Sequence, residues 1–531
     1  MDARIASAWA VLPDYLGQHV LLSVTALAIG LFVGLSLAIV SVWSPRLRWF
    51  LLTATGLIQT IPGLALLALF YPLLLALSAL TERFFGVTFS ALGFLPSLLA
   101  LALYSILPIL RNTVTGILGV DDAVREAARG VGMTPVQRLF KVELPLAMPV
   151  IMAGIRTAAV WVIGTATLST PIGQTSLGNY IFTGLQTQNW VFVVFGCVAA
   201  VVLALVVDQC LALVERGFAR RNTLLKALGG VGLAAVLLAS LLVGPARGGS
   251  NYVIGGKAFV EQYILAALID ERLDDAGMDA THRVGLGSTV IFDALAANEI
   301  DAYVDYTGTI WTNFMHRRET ASHEKVLAGV GAWLKRTRGI TMLGPLGFDN
   351  AYALVMRRDQ AERLNIHSIA DLAPYAGRFS IAGDYEFFER PEWKALKKAY
   401  GLNFRETREM QSTFMYRAVA DGAIDVISGY TSDGRITAYD LIVLKDPQRE
   451  LHPYDAVLLV SPAAARRPGL VEALRPLVGA IPLAEMRKAN RQVDVERRTT
   501  RRAAGGLLHR VRPRVLGRSR TGLASCRRRP L

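Results

Sequence analysis

The hydropathy pattern changes character near residue 246. Before that point, long apolar runs alternate with short basic clusters. Residues 20–44, 49–81, 84–110, 147–168, 190–207 and 227–246 are each apolar, and each approaches or exceeds the ~20 residues that a helix needs to cross a bilayer core. The second run carries Pro62 and Pro72, which predicts a kinked span. Residues 169–189 are apolar but rich in Gly, Thr and Gln, which suits a re-entrant or short-helix element beside a pathway rather than a further span. Beyond a turn-forming linker at 247–250 the pattern becomes mixed. Strands are expected at 252–255, 281–286, 300–303, 351–356, 379–382 and 424–428. They alternate with helices at 261–275 and 289–298, the first with Ile264, Leu265, Leu268, Ile269 and Leu273 along one face. About 240 residues of this alternation, 251–495, predict an α/β domain of two lobes.

Basic residues orient the spans. Arg46 and Arg48, the 111–141 loop and the 215–226 segment are basic, whereas the loops at 82–83 and 169–189 are charge-poor. The positive-inside rule places the three basic segments in the cytoplasm. The amino terminus, which shows no signal-peptide pattern, then starts outside, and the carboxyl-terminal half lies outside too. Arg156 and Asp208 are the ionisable residues nearest the membrane interior. They either face the pathway or pack near its cytoplasmic end.

A polar island, 121–145, interrupts the apolar half. It reads as a helix over 122–129, a break at Gly132, and a second helix from Thr134 or Pro135 to Val142. Pro145 is expected to stop that helix before the next span.

Charge narrows the function classes. The net charge is +14, but twelve arginines and no acidic residue follow Glu496, so the body of the protein is nearly neutral. A nucleic-acid role thereby loses its main support. The tail, 496–531, has two readings: a disordered basic segment lying on anionic lipid, or a shifted reading frame. Cys197, Cys210 and Cys526 form neither a disulfide framework nor a metal motif. No GxxxxGK[ST] loop is present, so ATP hydrolysis is expected elsewhere.

The α/β half contains an echo. Ile300-Asp301 is followed by Tyr306-Thr307, and Ile424-Asp425 by Tyr430-Thr431 at the same offset. Ligands of open α/β sheets bind beyond the carboxyl ends of strands. Two such tyrosines, one per lobe, would face one another across a cleft.

The island EAARGVGMTPVQRLFKVELP (126–145) resembles the EAA loop of ABC-importer permeases. The resemblance makes Glu126, Ala127, Ala128 and Gly132 the elements that couple to an ATPase. The stretches GGKAFVEQ (255–262), IDAYVDYTGT (300–309), FDNAYAL (348–354), YTSDGRI (430–436) and HPYDA (452–456) resemble the binding proteins of glycine betaine/carnitine/choline ABC importers. Residues 20–244 are similar to the permease of the same system. The implied architecture is an all-α membrane permease (1–246, about six transmembrane helices, ABC importer type I). It is followed by an extracytoplasmic, two-lobed α/β domain of periplasmic-binding-protein type.

The resemblance further implies an aromatic box of Tyr306, Tyr352, Tyr430 and Tyr454, with Gln262 and Thr309 at pocket positions and Arg390 holding a carboxylate. It implies no cofactor on this chain, and ATP on two copies of a cytoplasmic ATPase. A second permease copy, membrane lipid and a quaternary ammonium ligand complete the expected partners, in an inner-membrane setting. Two alternatives stay open: an importer of another small zwitterion such as an amino acid, and a membrane-anchored receptor without transport.

Overall fold

The computed structural model describes residues 3–87, 89–187, 189–243, 252–317, 319, 321–384, 386–467 and 469–511. The linker at 247–250 lies outside the described residues, as does the tail beyond 511. The first part is helical: α1 (Ala3–Val42), α2 (Pro45–Thr60), α3 (Gly63–Phe85), α4 (Phe94–Leu118), α5 (Asp122–Gly130), α6 (Pro135–Arg138), α7 (Leu144–Ala166), α8 (Gly178–Gln186), α9 (Trp190–Ala219) and α10 (Thr223–Val243). Among the described residues, six helical stretches are long and apolar enough to cross a membrane.

Three expectations need correction here. Residues 49–81 are not one kinked span. The residue before a proline is pushed out of the helical region, and Ile61 is extended at φ −71, ψ 127, so α2 ends there and a separate span, α3, begins. The third span starts at Phe94 rather than 84, because α3 runs past Glu82 and Arg83 to a left-handed Gly86. Finally, Pro145 stops nothing. A π-turn at Leu139–Glu143 joins α6 to α7, and its Leu144 N–H donates to the Leu139 carbonyl. That shift of register absorbs the N–H that proline lacks, so the helix continues into the membrane.

The charged groups nearest the membrane interior are paired with one another. Arg156 on α7 donates to both Asp208 oxygens at 2.9 and 3.0 Å and to Glu215 at 2.7 Å, tying α7 to α9.

The second part contains two five-stranded sheets. The strands are β1 (Tyr252–Lys257), β2 (Ala280–Leu286), β3 (Ala302–Tyr306), β4 (Thr341–Asp349), β5 (Tyr352–Arg357), β6 (Ser380–Gly383), β7 (Glu406–Glu409), β8 (Val426–Tyr430), β9 (Leu441–Val443) and β10 (Asp455–Val460). The first lobe has the order β2-β1-β3-β10-β4 and the second β7-β6-β8-β5-β9, so the chain crosses between lobes after β4 and after β9. The helices that matter below are α11 (Val260–Asp275), α12 (Ser288–Ala296), α13 (Ser412–Ala420), α14 (Leu483–Asp494) and α15 (Thr500–Val511).

The echo is structural and longer than Ile-Asp…Tyr-Thr. Tyr306 and Tyr430 are the last residues of β3 and β8. Asp301 accepts from the Val253 N–H at 2.7 Å, and Asp425 accepts from the Ser380 N–H at 2.8 Å, so each carboxylate anchors the start of the neighbouring parallel strand. Upstream, STVIFDALA of α12 and STFMYRAVA of α13 match in length and end in the same way. Asn298 (φ 62) and Gly422 (φ 76) follow them in left-handed turns.

The boundary at 495 is also corrected. Residues 500–511 form α15, whose Ala503, Ala504, Leu507 and Leu508 are buried in the domain core against α11. Two adjacent pairs, spaced by four, make a narrow helical stripe. Glycines between the pairs and arginines on either side of them hide it from a composition-based reading.

Candidate ligand cleft and coupling segment

Strand ends place the tyrosines. Tyr352, first in β5, is the register partner of Tyr430, last in β8, and their ring centroids lie 4.9 Å apart. Tyr454 immediately precedes β10 in the other lobe, and meets Tyr352 edge to face at 5.8 Å. Tyr306 stacks on Phe259 at 6.1 Å. All four rings, with Thr309 and Arg390, line one cavity of about 350 Å³ between the lobes.

Each of three phenols donates to a carboxyl group, and two of these groups, Glu261 and Asp384, line the same cavity. Tyr306 bonds Glu261 at 2.6 Å, Tyr430 bonds Asp384, and Tyr454 bonds Glu392. Burial holds all four phenol pKa values above the usual range, so the rings remain neutral. Neutral tyrosine rings have electron-rich faces. Such faces attract a cation that has no hydrogen to donate.

Arg390 is one of the buried cations lining the cavity, 7 % exposed, beside Lys257 and Arg435. It donates to Tyr454 Oη at 3.2 Å and to Glu386 at 2.7 Å, and its Cζ stands 5.1 Å from the Tyr352 ring centroid. Its Nε is buried without a hydrogen-bond partner. A ligand carboxylate would meet that need.

Gln262 does not line the cavity, contrary to the expectation. Its amide donates to Tyr306 Oη at 3.0 Å and accepts from the Lys257 N–H at 3.2 Å, so it holds the ring from behind. Sequence reasoning missed Glu261, the adjacent residue, which joins Tyr306 to Asn350 (3.1 Å) and to Asn490 on α14 (2.9 Å). Burial raises the Glu261 pKa and lifts that of Asp494 to about 7. Asn350, Asn490 and Asp494 line the same cavity, each with one buried side-chain oxygen lacking a partner. Gln186, at the end of α8 in the membrane part, also lines it, so the mouth of the cleft faces the permease. Nothing in the local sequence marked it.

The two parts meet through the first lobe. Glu299 accepts from Ser90 Oγ (2.9 Å), the Ala91 N–H (2.7 Å) and the Leu92 N–H (3.1 Å). Tyr71 donates to the Val290 carbonyl of α12 at 3.2 Å, and Tyr71, Leu74, Ala91 and Leu92 share an apolar cluster with Leu286.

From residues 90–92, α4 carries the chain ~37 Å away to the polar island. There Asp121 caps α5, and Thr134 with Gln137 forms a capping box on α6. Buried Glu143 accepts from Arg138 at 2.8 Å, and Arg125 caps the α4 carbonyls of Ile117 and Leu118. Glu126 and Ala127 are exposed, Ala128 is buried, and Gly132 turns at φ 80. Val131, Val136 and Phe140 stay exposed on this clamped segment, an apolar surface such as marks a protein contact.

A membrane helix bundle fused to a two-lobed cleft domain is the arrangement of a binding-protein-dependent importer. Residues 29–220 match the family described as the binding-protein-dependent transport system inner membrane component. Residues 250–509 match the substrate binding domain of ABC-type glycine betaine transport systems. The chain belongs to this ABC importer family, as a multi-pass permease joined to its substrate-binding domain.

The choline transport system permease protein OpuBB of Bacillus subtilis (strain 168) is 42% identical over 199 residues, 38% of this chain and 84% of that protein. A glycine-betaine-binding protein of Pseudomonas aeruginosa is 32% identical over 272 residues, 48% of this chain and 86% of its own length. The ergothioneine transport permease/ergothioneine binding protein EgtU of Helicobacter pylori (strain G27) is 29% identical over 498 residues, covering 91% of this chain and 87% of that one.

Proposed function

We propose that the cleft captures a small solute bearing a quaternary ammonium group, of the glycine betaine, carnitine or choline type. The permease would carry it inward with energy from separate ATPase subunits. The observation that carries this reading is the set of four tyrosines from two lobes on one cavity, three of them hydrogen-bonded to carboxyl groups. Each cation–π contact contributes roughly 0.5–2 kcal/mol, so three or four support micromolar capture after ordering costs. Arg390 takes a carboxylate at the other end. The exposed segment around Glu126 supports an ATPase contact on the opposite side, and six spans make half of a pathway, so two copies of this chain, or a paired permease, complete it.

A second reading has its own support. Asn350, Asn490 and Asp494 offer acceptor oxygens, which suits a betaine carrying N–H or O–H donors that glycine betaine itself lacks. Ergothioneine, the cargo in the name of the full-length relative, is such a betaine. Calorimetric titration of the solubilised chain with glycine betaine, carnitine, choline, ergothioneine and methionine tests both readings. Quaternary ligands should bind and methionine should not. Binding of methionine alone would refute the proposal.

A further inference from the structure

Each strand end of the echo carries a tyrosine and then a threonine. Tyr306 and Tyr430 line the cavity, whereas Thr307 and Thr431 do not. The two threonines bond in the same way. Thr307 Oγ1 donates to the Pro453 carbonyl at 3.2 Å and accepts from the Asp455 N–H at 3.0 Å. Thr431 Oγ1 donates to the Asp349 carbonyl at 3.3 Å and accepts from the Ala351 N–H at 3.0 Å. Each hydroxyl thus brackets one residue of another segment, holding the carbonyl before it and the N–H after it. The bracketed residues are Tyr454 and Asn350, and both line the cavity.

The segments held in this way are the two that join the lobes. Asn350 and Ala351 lie between β4 and β5, and Tyr454 is the last residue before β10. The Asn350 N–H donates to the Tyr454 carbonyl at 2.9 Å, so the crossings are tied to each other at the bracketed residues. Asp349 and Asp455 are register partners of β4 and β10, which keeps the crossings side by side. Closure of two lobes is absorbed by the φ and ψ of a few such connecting residues. A hydroxyl bonded on both sides of one residue restricts that freedom, and the branched Cβ of threonine restricts the hydroxyl in turn.

We infer that Thr307 and Thr431 are paired latches of the hinge. Each positions one cavity residue, Tyr454 or Asn350, by fixing the backbone on either side of it. The bond between the crossings makes the two latches act as one. Both are positioning residues, because they reach the cargo only through the residues they bracket. The repeat thereby serves two ends: its tyrosine faces the cleft, and its threonine sets the strand that crosses beside it. This inference rests on the reading of the cavity as the cargo site.

Hydrogen exchange of the solubilised full chain without cargo tests it, read by mass spectrometry on peptides spanning 348–352 and 453–457, with 252–257 in β1 as the reference. Thr307→Val and Thr431→Val keep the shape of the side chain and remove the hydroxyl. Either is expected to speed exchange about tenfold in both crossing peptides and to leave β1 unchanged. Thr307→Ser and Thr431→Ser keep the hydroxyl and should stay within about threefold of the unsubstituted chain. A rise confined to the substituted threonine's own crossing would overturn the inference, as would equal effects of serine and valine. Thr431 is half-buried, so its variants decide the matter where Thr307→Val fails to fold.

Calorimetry supplies the second arm, with whichever of glycine betaine and ergothioneine binds more tightly. Affinity should fall about tenfold in the valine variants and be kept in the serine ones. Faster exchange with unchanged affinity would overturn the positioning role. The exchange arm needs no cargo, so failure of the latches is separable from failure of the functional reading.

Discussion

Tyr352 of the second lobe and Tyr454 of the first meet edge to face, with centroids 5.8 Å apart and planes at 83°. The contact joins the lobes at the cavity wall, and Tyr454 also receives a hydrogen bond from Arg390. Tyr454→Ala should therefore weaken quaternary ammonium binding by about tenfold or more. Tyr454→Phe, which keeps the ring and loses only the hydroxyl, should retain most of the affinity. Calorimetry on the two variants separates the ring from its hydroxyl.

Arg390 separates cargo classes. Replacing it with methionine removes a charge-assisted bond worth roughly 1.5–3 kcal/mol. Glycine betaine and carnitine should lose about tenfold or more in affinity, while choline, with no carboxylate, should stay within about threefold. Equal losses for all three would show that Arg390 acts only by supporting Tyr352 and Tyr454.

Asp494 makes stability depend on pH. Burial raises its carboxyl from the usual 3.8 to about 7, so the folded state holds a proton that the unfolded chain has released. That contribution is present in full below about pH 4 and is lost as pH rises through about 7. Asp494→Asn should flatten the slope of binding-domain unfolding midpoint against pH across this window. An unaltered slope would contradict the assignment.

The fold was legible where one physical signal dominated. Spans could be counted because long apolar runs have few other homes, and Tyr306 and Tyr430 could be placed because a strand end fixes direction. Their shared cleft followed from the resemblance and the repeated offset together. Signals that compete were misread: Glu82 and Arg83 looked like a loop although Gly86 ends the helix, and Pro145 looked like a stop although a π-turn removes its cost. Gln262 matched a pocket motif, yet its side chain turns towards the hydroxyl of Tyr306. Glu299 and Gln186 gave no sign, because their role depends on where a segment some 200 residues away, or in the other half of the chain, comes to rest.

At the opposite end of the membrane part, Gly132 turns at φ 80, a conformation unfavourable by about 1 kcal/mol for a residue with a Cβ. Gly132→Val should disturb the path between α5 and α6 and lower ATP-driven uptake, leaving cargo affinity unchanged. Paired uptake and binding assays check it.

The central claim is recognition of a fully methylated nitrogen by tyrosine faces. Titrating the solubilised chain with glycine betaine, dimethylglycine and glycine varies only the methyl groups. The account predicts that affinity falls with each methyl removed and that Tyr430→Ala erases most of the difference. Glycine binding as tightly as its trimethylated form would contradict it.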